Sequence, residues 1–170
     1  MIALRDATEA DFDAMCAMYR AVCAAGDTLV SSGDETDETL HAEWLEGECR
    51  SVVAVDRDVV CGMYKWGANR PQRGAHVGTA TFVVDPAHQG LGIGTRLVAH
   101  CLAATEAAGF RAIQFNFVVA TNTRAIALYE RHGMAIVGTL PAAFRHASLG
   151  LVDAHVMFKT FERSFSGATA

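Results

Sequence analysis

The apolar positions of the chain follow two periodicities, helical spacing in four stretches and strand-like alternation or β-branched runs in seven others. Spacings of three and four predict helices over about Glu9–Ala25, Glu38–Glu48, Ile93–Ala108 and Thr123–His132. The apolar runs predict strands over Ile2–Arg5, Ser51–Val55, Val59–Trp66, Val77–Val84, Ile113–Val118, Ala135–Leu140 and Asp153–Phe161. A loop that holds Pro141, Phe144, Arg145 and His146 is expected between the last two strands.

The strand Val77–Val84 is joined to the strand Ile113–Val118 by a predicted helix. Such a crossover makes the two strands parallel, and a ligand is expected at their carboxyl ends. Within the second strand, alternation assigns one face to Ile113, Phe115 and Phe117 and the other face to Gln114, Asn116 and Val118. Asn116 is therefore expected to face a cleft, away from the two phenylalanines.

A glycine-rich turn follows the first of these strands and contains Gly90, Gly92 and Gly94. Glycines let backbone N–H groups converge, and the N-terminus of the next helix adds a partial positive charge, so the turn suits a phosphate group. A P-loop would require Lys and Ser or Thr after the last glycine, but Thr95 and Arg96 stand there. A dinucleotide-binding turn would require a glycine at position 95, so both of these better-known sites are excluded.

The remaining pattern is Gln89-Gly90-Leu91-Gly92-Ile93-Gly94 directly after Val84-Asp85-Pro86. It resembles the acetyl-CoA motif of the GNAT superfamily of N-acetyltransferases. A second stretch, Asn122 to Met134, is similar to another signature of that superfamily, with Met134 in place of its aromatic residue. The resemblance implies one α/β (α+β) domain over residues 1–170, with a mixed, mostly antiparallel six- to seven-stranded sheet, a central splayed parallel pair and about four flanking helices.

The resemblance also implies acetyl-CoA as co-substrate, with the pyrophosphate held by the backbone of the glycine turn. The thioester carbonyl would be polarised by a backbone N–H at about Val84, where strands that splay after Phe82 and Phe115 leave unpaired groups. Asn122 would bond the pantetheine arm, cap the next helix, or do both. The cofactor-binding residues expected in this way are Phe82, Val83, Val84, Gln89, Gly90, Leu91, Gly92, Ile93, Gly94, Thr95, Asn122, Ala125 and Tyr129.

Tyr129 occupies the position that the superfamily uses for the general acid. A phenol is protonated at neutral pH and can supply a proton to the departing thiolate. The general base is left open between His76 and a chain of water molecules, because Val77–Val84 contains no carboxylate. Thr79, Asn116 and Phe144 are the residues expected to contact the acceptor.

A finer likeness links the chain to a subgroup that acetylates L-proline analogues such as azetidine-2-carboxylate. It includes Tyr64, Asn69 and the stretch Gln114 to Val119. In that subgroup an asparagine commonly precedes the Ala-Gly-Phe of the central strand, whereas this chain has Thr79. The acceptor therefore cannot be copied from the subgroup.

Composition restricts the partners further. The 170 residues carry 14 Lys+Arg against 19 Asp+Glu, for a net charge of −5, and there is no basic run, so nucleic acid is not expected. No apolar run is long enough to span a membrane, the first residues do not resemble a signal peptide, and a cytoplasmic location is expected. The five cysteines and seven histidines show no metal-ligand spacing, so no metal is expected.

The predicted function is an acetyl-CoA-dependent N-acetyltransferase that transfers the acetyl group directly to a small-molecule amine, such as an amino acid or an analogue. Two alternatives are an N-acetyltransferase of proteins or peptides and a CoA-binding regulatory module without turnover. The sequence leaves the oligomeric state open, with a homodimer among the alternatives.

Overall fold

The computed structural model, which describes residues 2–161, has a seven-stranded sheet at its centre. Its strands are β1 (Ala3–Asp6), β2 (Arg50–Asp56), β3 (Val59–Ala68), β4 (Val77–Val84), β5 (Ala112–Val119), β6 (Ala135–His146) and β7 (Gly150–Thr160). The strand order is β1-β2-β3-β4-β5-β7-β6, and the pair β4 and β5 is parallel while the other neighbours are antiparallel. The predicted fold class is therefore confirmed.

Four helices cover the two faces of the sheet: α1 (Phe12–Ala25), α2 (Asp37–His41), α3 (Ile93–Ala107) and α4 (Thr123–Arg131). The predicted second helix, Glu38–Glu48, is shorter than expected, because the chain widens into one π-helical turn over Ala42–Glu46 after α2. Side chains of α1, α2 and the π turn form one apolar core with Val53, Met63 and Val83. Side chains of α3 and α4 pack on the opposite face, against Ile113 and Phe115 among others.

The parallel pair in the middle of the sheet is joined over a very short distance. Only Val77 with Ala112 and Gly78 with Ile113 are paired, whereas β3 and β4 pair over seven residues each. The expectation that the strands splay after Phe82 and Phe115 is therefore wrong, because they separate already after Gly78 and Ile113. Beyond that point, a hydrogen bond between side chains, from Asn116 to Thr79, bridges the two strands in place of a backbone ladder.

A β-bulge in β5 corrects the predicted alternation. Phe115 pairs with Met157 and Val118 with His155, so two residues of β5 stand opposite a single residue of β7. The extra residue turns Val118 into the same core as Phe115. Phe117 instead places its ring beside that of Phe144, with 6.3 Å between the centroids.

The predicted loop around Pro141 is also wrong, because β6 continues through it to His146. A bulge of three residues opposite one accommodates the proline, because Leu140 pairs with Ala154 and Phe144 with Val152. Ala142 lies inside the bulge at φ 51°, and its N–H donates to the Asp153 carboxylate at 2.9 Å. Pro141 has no partner in β7 at this bulge, and β6 has no neighbour on its other side, so the missing N–H of Pro141 costs no ladder hydrogen bond.

Candidate active site

A cavity of about 580 Å³ opens where β4 ends and where α3 and α4 begin. Its walls come from the end of α1, the carboxyl end of β4, the glycine turn, the start of α3 and one face of α4. The lining residues are Val22, Ala25, Asp27, Thr28, Phe82, Val83, Val84, Pro86, His88, Gln89, Gly90, Gly92, Ile93, Gly94, Thr95, Val98, Asn122, Arg124, Ala125, Leu128, Tyr129 and Arg131. Among the expected cofactor-binding residues, only Leu91 is absent from this lining, and its side chain is exposed.

The glycine turn is shaped as an anion-binding cradle. Gly90 and Gly92 adopt φ values of 83° and 77°, which side-chain-bearing residues rarely tolerate. A Cβ added at either position would meet nothing within 4 Å, so the space above both glycines is open. Among the described residues, none accepts a hydrogen bond from the N–H groups of Gly90, Leu91 and Gly92, and the first turn of α3 adds further free N–H groups. These donors can hold a diphosphate.

The unpaired edge of β4 also faces this region. The N–H of Asp85 donates to the carbonyl of Cys61, and the N–H of Asn69 donates to the carbonyl of Val77. Because backbone groups alternate sides along a strand, the N–H and C=O groups of Phe82 and Val84 point away from β3, toward β5. The ladder with β5 ends at Gly78, so these groups border an open gap. An extended ligand can hydrogen-bond to them as an additional strand would.

Tyr129 lies on the α4 side of the gap, half-buried. Its ring meets that of Phe115 edge-on, with 4.7 Å between centroids, and lies 6.1 Å from the ring of Phe82. Burial raises the pKa of the Tyr129 phenol above its usual value, so the hydroxyl is protonated at neutral pH. Among residues 2–161, no group forms a hydrogen bond with this hydroxyl, which is therefore available to a ligand in the cavity.

Asn122 caps α4, because its side-chain oxygen accepts a hydrogen bond from the N–H of Ala125 at 3.1 Å. The amide NH₂ of the same side chain makes no hydrogen bond to the described residues and lines the cavity. One side chain can thus be both a helix cap and a donor to a ligand.

The residues expected to contact the acceptor lie outside this cavity. Odd-numbered residues of β4 share the α1 face, as the burial of Val83 against α1 shows, so Thr79 is on that face. The Asn116 side chain lies there too, where its NH₂ donates to the Asn69 side-chain oxygen at 2.7 Å and to the Thr79 hydroxyl at 3.4 Å. The NH₂ of Gln114 donates to the Asn116 oxygen at 2.7 Å. We call Asn69, Thr79, Gln114 and Asn116 the amide cluster; it carries no formal charge.

Phe144 is buried next to Phe117, and Phe117 follows Asn116 in β5. The structure therefore brings Phe144 close to the amide cluster even though the predicted loop is a strand. His76, in contrast, is exposed just before the amino end of β4. Six residues of an extended strand place it about 20 Å from Phe82, which argues against a role as general base.

Sequence analysis missed two cationic residues of the cavity. Arg124 and Arg131 lie in α4, and neither forms an ion pair with a described carboxylate. Their separation of seven residues, two helical turns, was the signal that could have found them, since it puts both on the face of Leu128. The contribution of Asp27 and Thr28 could not be found in this way, because it depends on how α1 packs.

Within residues 2–161, no three His, Cys, Asp or Glu side chains are close enough to hold a metal ion. In the same range, no helix is long and apolar enough to cross a membrane.

The profile of the Acetyltransferase (GNAT) family matches residues 9–134. The chain belongs to this family. Its structure is similar to that of a GCN5-related N-acetyltransferase from Kribbella flavida, with 40% identity, a TM-score of 0.90, and coverage of 94% of this chain and 98% of the other. The predicted resemblance to the GNAT superfamily is therefore confirmed.

The chain is also similar to two other acetyltransferases. N-acetyltransferase aca1 of Schizosaccharomyces pombe is 36% identical over 89 residues, which cover 52% of this chain and 43% of the relative, so the chain matches less than half of that protein's length. A phosphinothricin acetyltransferase from Sinorhizobium meliloti, solved in complex with AcCoA, has a TM-score of 0.85 at 22% identity and covers 99% of this chain and 92% of its own. The latter likeness shows the shared fold. The azetidine-2-carboxylate subgroup stays a prediction.

Proposed function

We propose that this GNAT protein transfers the acetyl group of acetyl-CoA to the amine of a small molecule, an amino acid or an amino-acid analogue. The single observation that carries the proposal is the gap beside β4. It combines free backbone groups at Phe82 and Val84 with a phosphate cradle at one end and a protonated tyrosine hydroxyl at its side. A ligand that has a diphosphate, an extended amide arm and a sulfur at its tip matches this order of groups.

The residues that would hold acetyl-CoA divide into three groups. The backbone of Gln89 to Thr95 is suited to the diphosphate, and the Phe82 and Val84 edge, with the free NH₂ of Asn122, is suited to the pantetheine amides. Arg124 and Arg131, which form no ion pair with a carboxylate of residues 2–161, offer their guanidinium groups for the phosphates. When bound, acetyl-CoA supplies the acetyl group as an activated thioester.

Transfer needs a polarised carbonyl and a proton for the leaving thiolate. The Val84 N–H faces the gap and would donate to the thioester carbonyl oxygen. The Tyr129 hydroxyl would donate its proton to the sulfur as the carbon–sulfur bond breaks, and solvent would return a proton to the phenolate. We infer that water takes the proton released by the amine, since the exposed His76 lies about 20 Å along β4 from Phe82.

The amide cluster is our candidate for acceptor recognition. Within residues 2–161, its hydrogen bonds leave the Asn69 NH₂ and the Gln114 side-chain oxygen available to a ligand on the face of the sheet opposite α3. An uncharged donor of this kind suits the carboxylate or amide of an amino acid. The likeness to the L-proline-analogue subgroup supports the same acceptor class.

The deciding experiment measures CoASH release with a thiol reagent over a panel of cyclic imino acids, amino acids, polyamines and short peptides. We expect release with at least one amino acid or imino acid, and an N-acetylated product by mass spectrometry. Release with peptides alone would favour protein acetylation. Tight acetyl-CoA binding with no release on any acceptor would favour a regulatory module.

A further inference from the structure

Two segments that are far apart in sequence meet at Gly26 and Ala147. The N–H of Ala147, in the turn between β6 and β7, donates to the carbonyl of Gly26 at 2.9 Å. Gly26 ends α1 in the left-handed conformation, at φ 63° and ψ 31°. We call this contact the clasp.

The clasp depends on the absence of a side chain at residue 26. A Cβ built on Gly26 would lie 2.9 Å from the Cβ of Ala147, closer than carbon atoms approach without displacement. The glycine therefore serves two requirements, the left-handed end of α1 and the close approach of the turn. Any larger residue would push the β6–β7 turn away from α1.

The two sides of the clasp border different parts of the candidate active site. Ala25 and Asp27, the neighbours of Gly26, line the cofactor cavity. On the other side, the strand that leads to Ala147 carries Phe144, whose ring lies 6.3 Å from Phe117 and 6.3 Å from His146. The clasp thus connects the wall of the cofactor cavity to the aromatic wall beside the amide cluster.

We propose that the clasp closes the acceptor side of the gap, so that the enzyme accepts compact amines and rejects a polypeptide that must extend through the cleft. This inference rests on the proposed acetyl transfer and specifies its acceptor class. Compact acceptors would bind between the amide cluster and the Phe117–Phe144 wall. A peptide of several residues would have to pass the position where Gly26 and Ala147 are joined.

The test compares free amino acids with peptides that begin with the same residue: L-proline with Pro-Gly-Gly-Gly, and L-alanine with Ala-Gly-Gly-Gly. The readout is kcat/KM for each, from CoASH release, in the wild type, in Gly26→Ala and in Gly26→Ala/Ala147→Gly. Both variants carry the same backbone strain at residue 26, but the second removes the methyl group that the new Cβ would strike. The variants therefore separate opening of the clasp from loss of stability.

Ala147→Leu, at an exposed turn position, opens the clasp from the other side if the Gly26 variants do not fold.

We expect the wild type to prefer the free amino acid by about tenfold or more, a difference within what steric exclusion can give. Gly26→Ala and Ala147→Leu should reduce this preference by about tenfold, and the double variant should restore most of it. A wild type that uses peptides as well as free amino acids, or an unchanged preference in Gly26→Ala and Ala147→Leu, would overturn the clasp while leaving acetyl transfer intact. Acetyl-CoA binding without CoASH release on any acceptor would overturn both proposals.

Discussion

The rings of Tyr129 and Phe115 meet edge-on, with 4.7 Å between their centroids, across the boundary between α4 and the splayed strand β5. Packing against Phe115 sets the orientation of the Tyr129 ring, so the position of its hydroxyl does not depend on a hydrogen bond to the protein. The phenol is thereby held in position, and no group among the described residues bonds its hydroxyl.

Replacing Tyr129 with Phe should lower kcat about 100-fold, the lower end of what a positioned acid contributes, while KM for acetyl-CoA changes less than about threefold. The ring contacts with Phe115 and Phe82 remain in this variant, so only the proton donor is lost. Steady-state CoASH release measures both constants.

Tyr64→Phe is the matched control for that substitution. Tyr64 is a fully buried tyrosine whose hydroxyl bonds His100 at 2.6 Å, away from the cavity. Its loss should lower thermal stability and leave kcat within about twofold, since the hydroxyl takes no part in the proposed transfer. An equal loss of kcat in both variants would argue against a special role for Tyr129.

Gly92→Asp should weaken acetyl-CoA binding about 100-fold or more, because it puts a carboxylate beside the diphosphate. Gly92→Asn is the control, since asparagine has nearly the same shape and tolerates the left-handed conformation that Gly92 adopts. Isothermal titration with CoA should show a much smaller loss for Asn than for Asp. Equal losses would mean that backbone conformation, rather than charge, limits binding.

Arg124→Gln and Arg131→Gln should each weaken CoA binding about tenfold, a size typical of a charge-assisted hydrogen bond. The dissociation constant should also become less sensitive to salt in both variants. Titration with dephospho-CoA, which lacks the 3′-phosphate, would show which arginine contacts that group. Arg96→Gln is the control, because Arg96 donates to the Ile2 carbonyl at 3.2 Å and does not line the cavity.

The start of α1 should make stability depend on pH through Asp11. This buried carboxylate accepts two hydrogen bonds from the Arg5 guanidinium, at 2.6 and 2.7 Å, which hold its pKa well below the usual value. Because the pKa of Asp11 is lower in the folded than in the unfolded protein, its ionisation stabilises the fold at pH values above the unfolded pKa of about 4. This stabilisation is lost as the pH falls from there through the pKa of the folded state. Asp11→Asn should therefore cost about 2 kcal/mol at pH 7 and progressively less below pH 4.

Urea unfolding at pH 7, 5 and 3 would measure this trend. Asp13→Asn, which changes an exposed aspartate two residues later, should leave the free energy of unfolding within about 0.5 kcal/mol at every pH. A difference for Asp11→Asn that stays constant down to pH 3 would contradict the assignment.

The sequence predicted well those features that local pattern controls. The strand β4 was predicted with its observed bounds, and the glycine turn and the cap at Asn122 lie where the pattern placed them. These features depend on alternation, on glycine conformation and on a side chain that bonds its own backbone, all of which are readable over a few residues. The superfamily resemblance then supplied the fold.

Features that depend on pairing between distant strands were not predictable in the same way. The bulge that turns Val118 into the core exists because β7 offers one residue opposite two. The strand through Pro141 forms because Asp153, from the neighbouring strand, accepts the Ala142 N–H. Neither partner is visible in the local pattern, so Phe117 was predicted on the wrong face and the second half of β6, from Pro141 to His146, was predicted as a loop.

Within residues 2–161, the ladder that joins the four-stranded part β1–β4 of the sheet to the three-stranded part β5–β7 contains two residue pairs. A cofactor arm lying in the opening would complete the sheet and would become a structural component as well as a reactant. Binding of acetyl-CoA would then connect the two parts of the sheet mechanically. The cofactor-bound protein, which is the form that binds the acceptor amine, would therefore be stiffer than the cofactor-free protein.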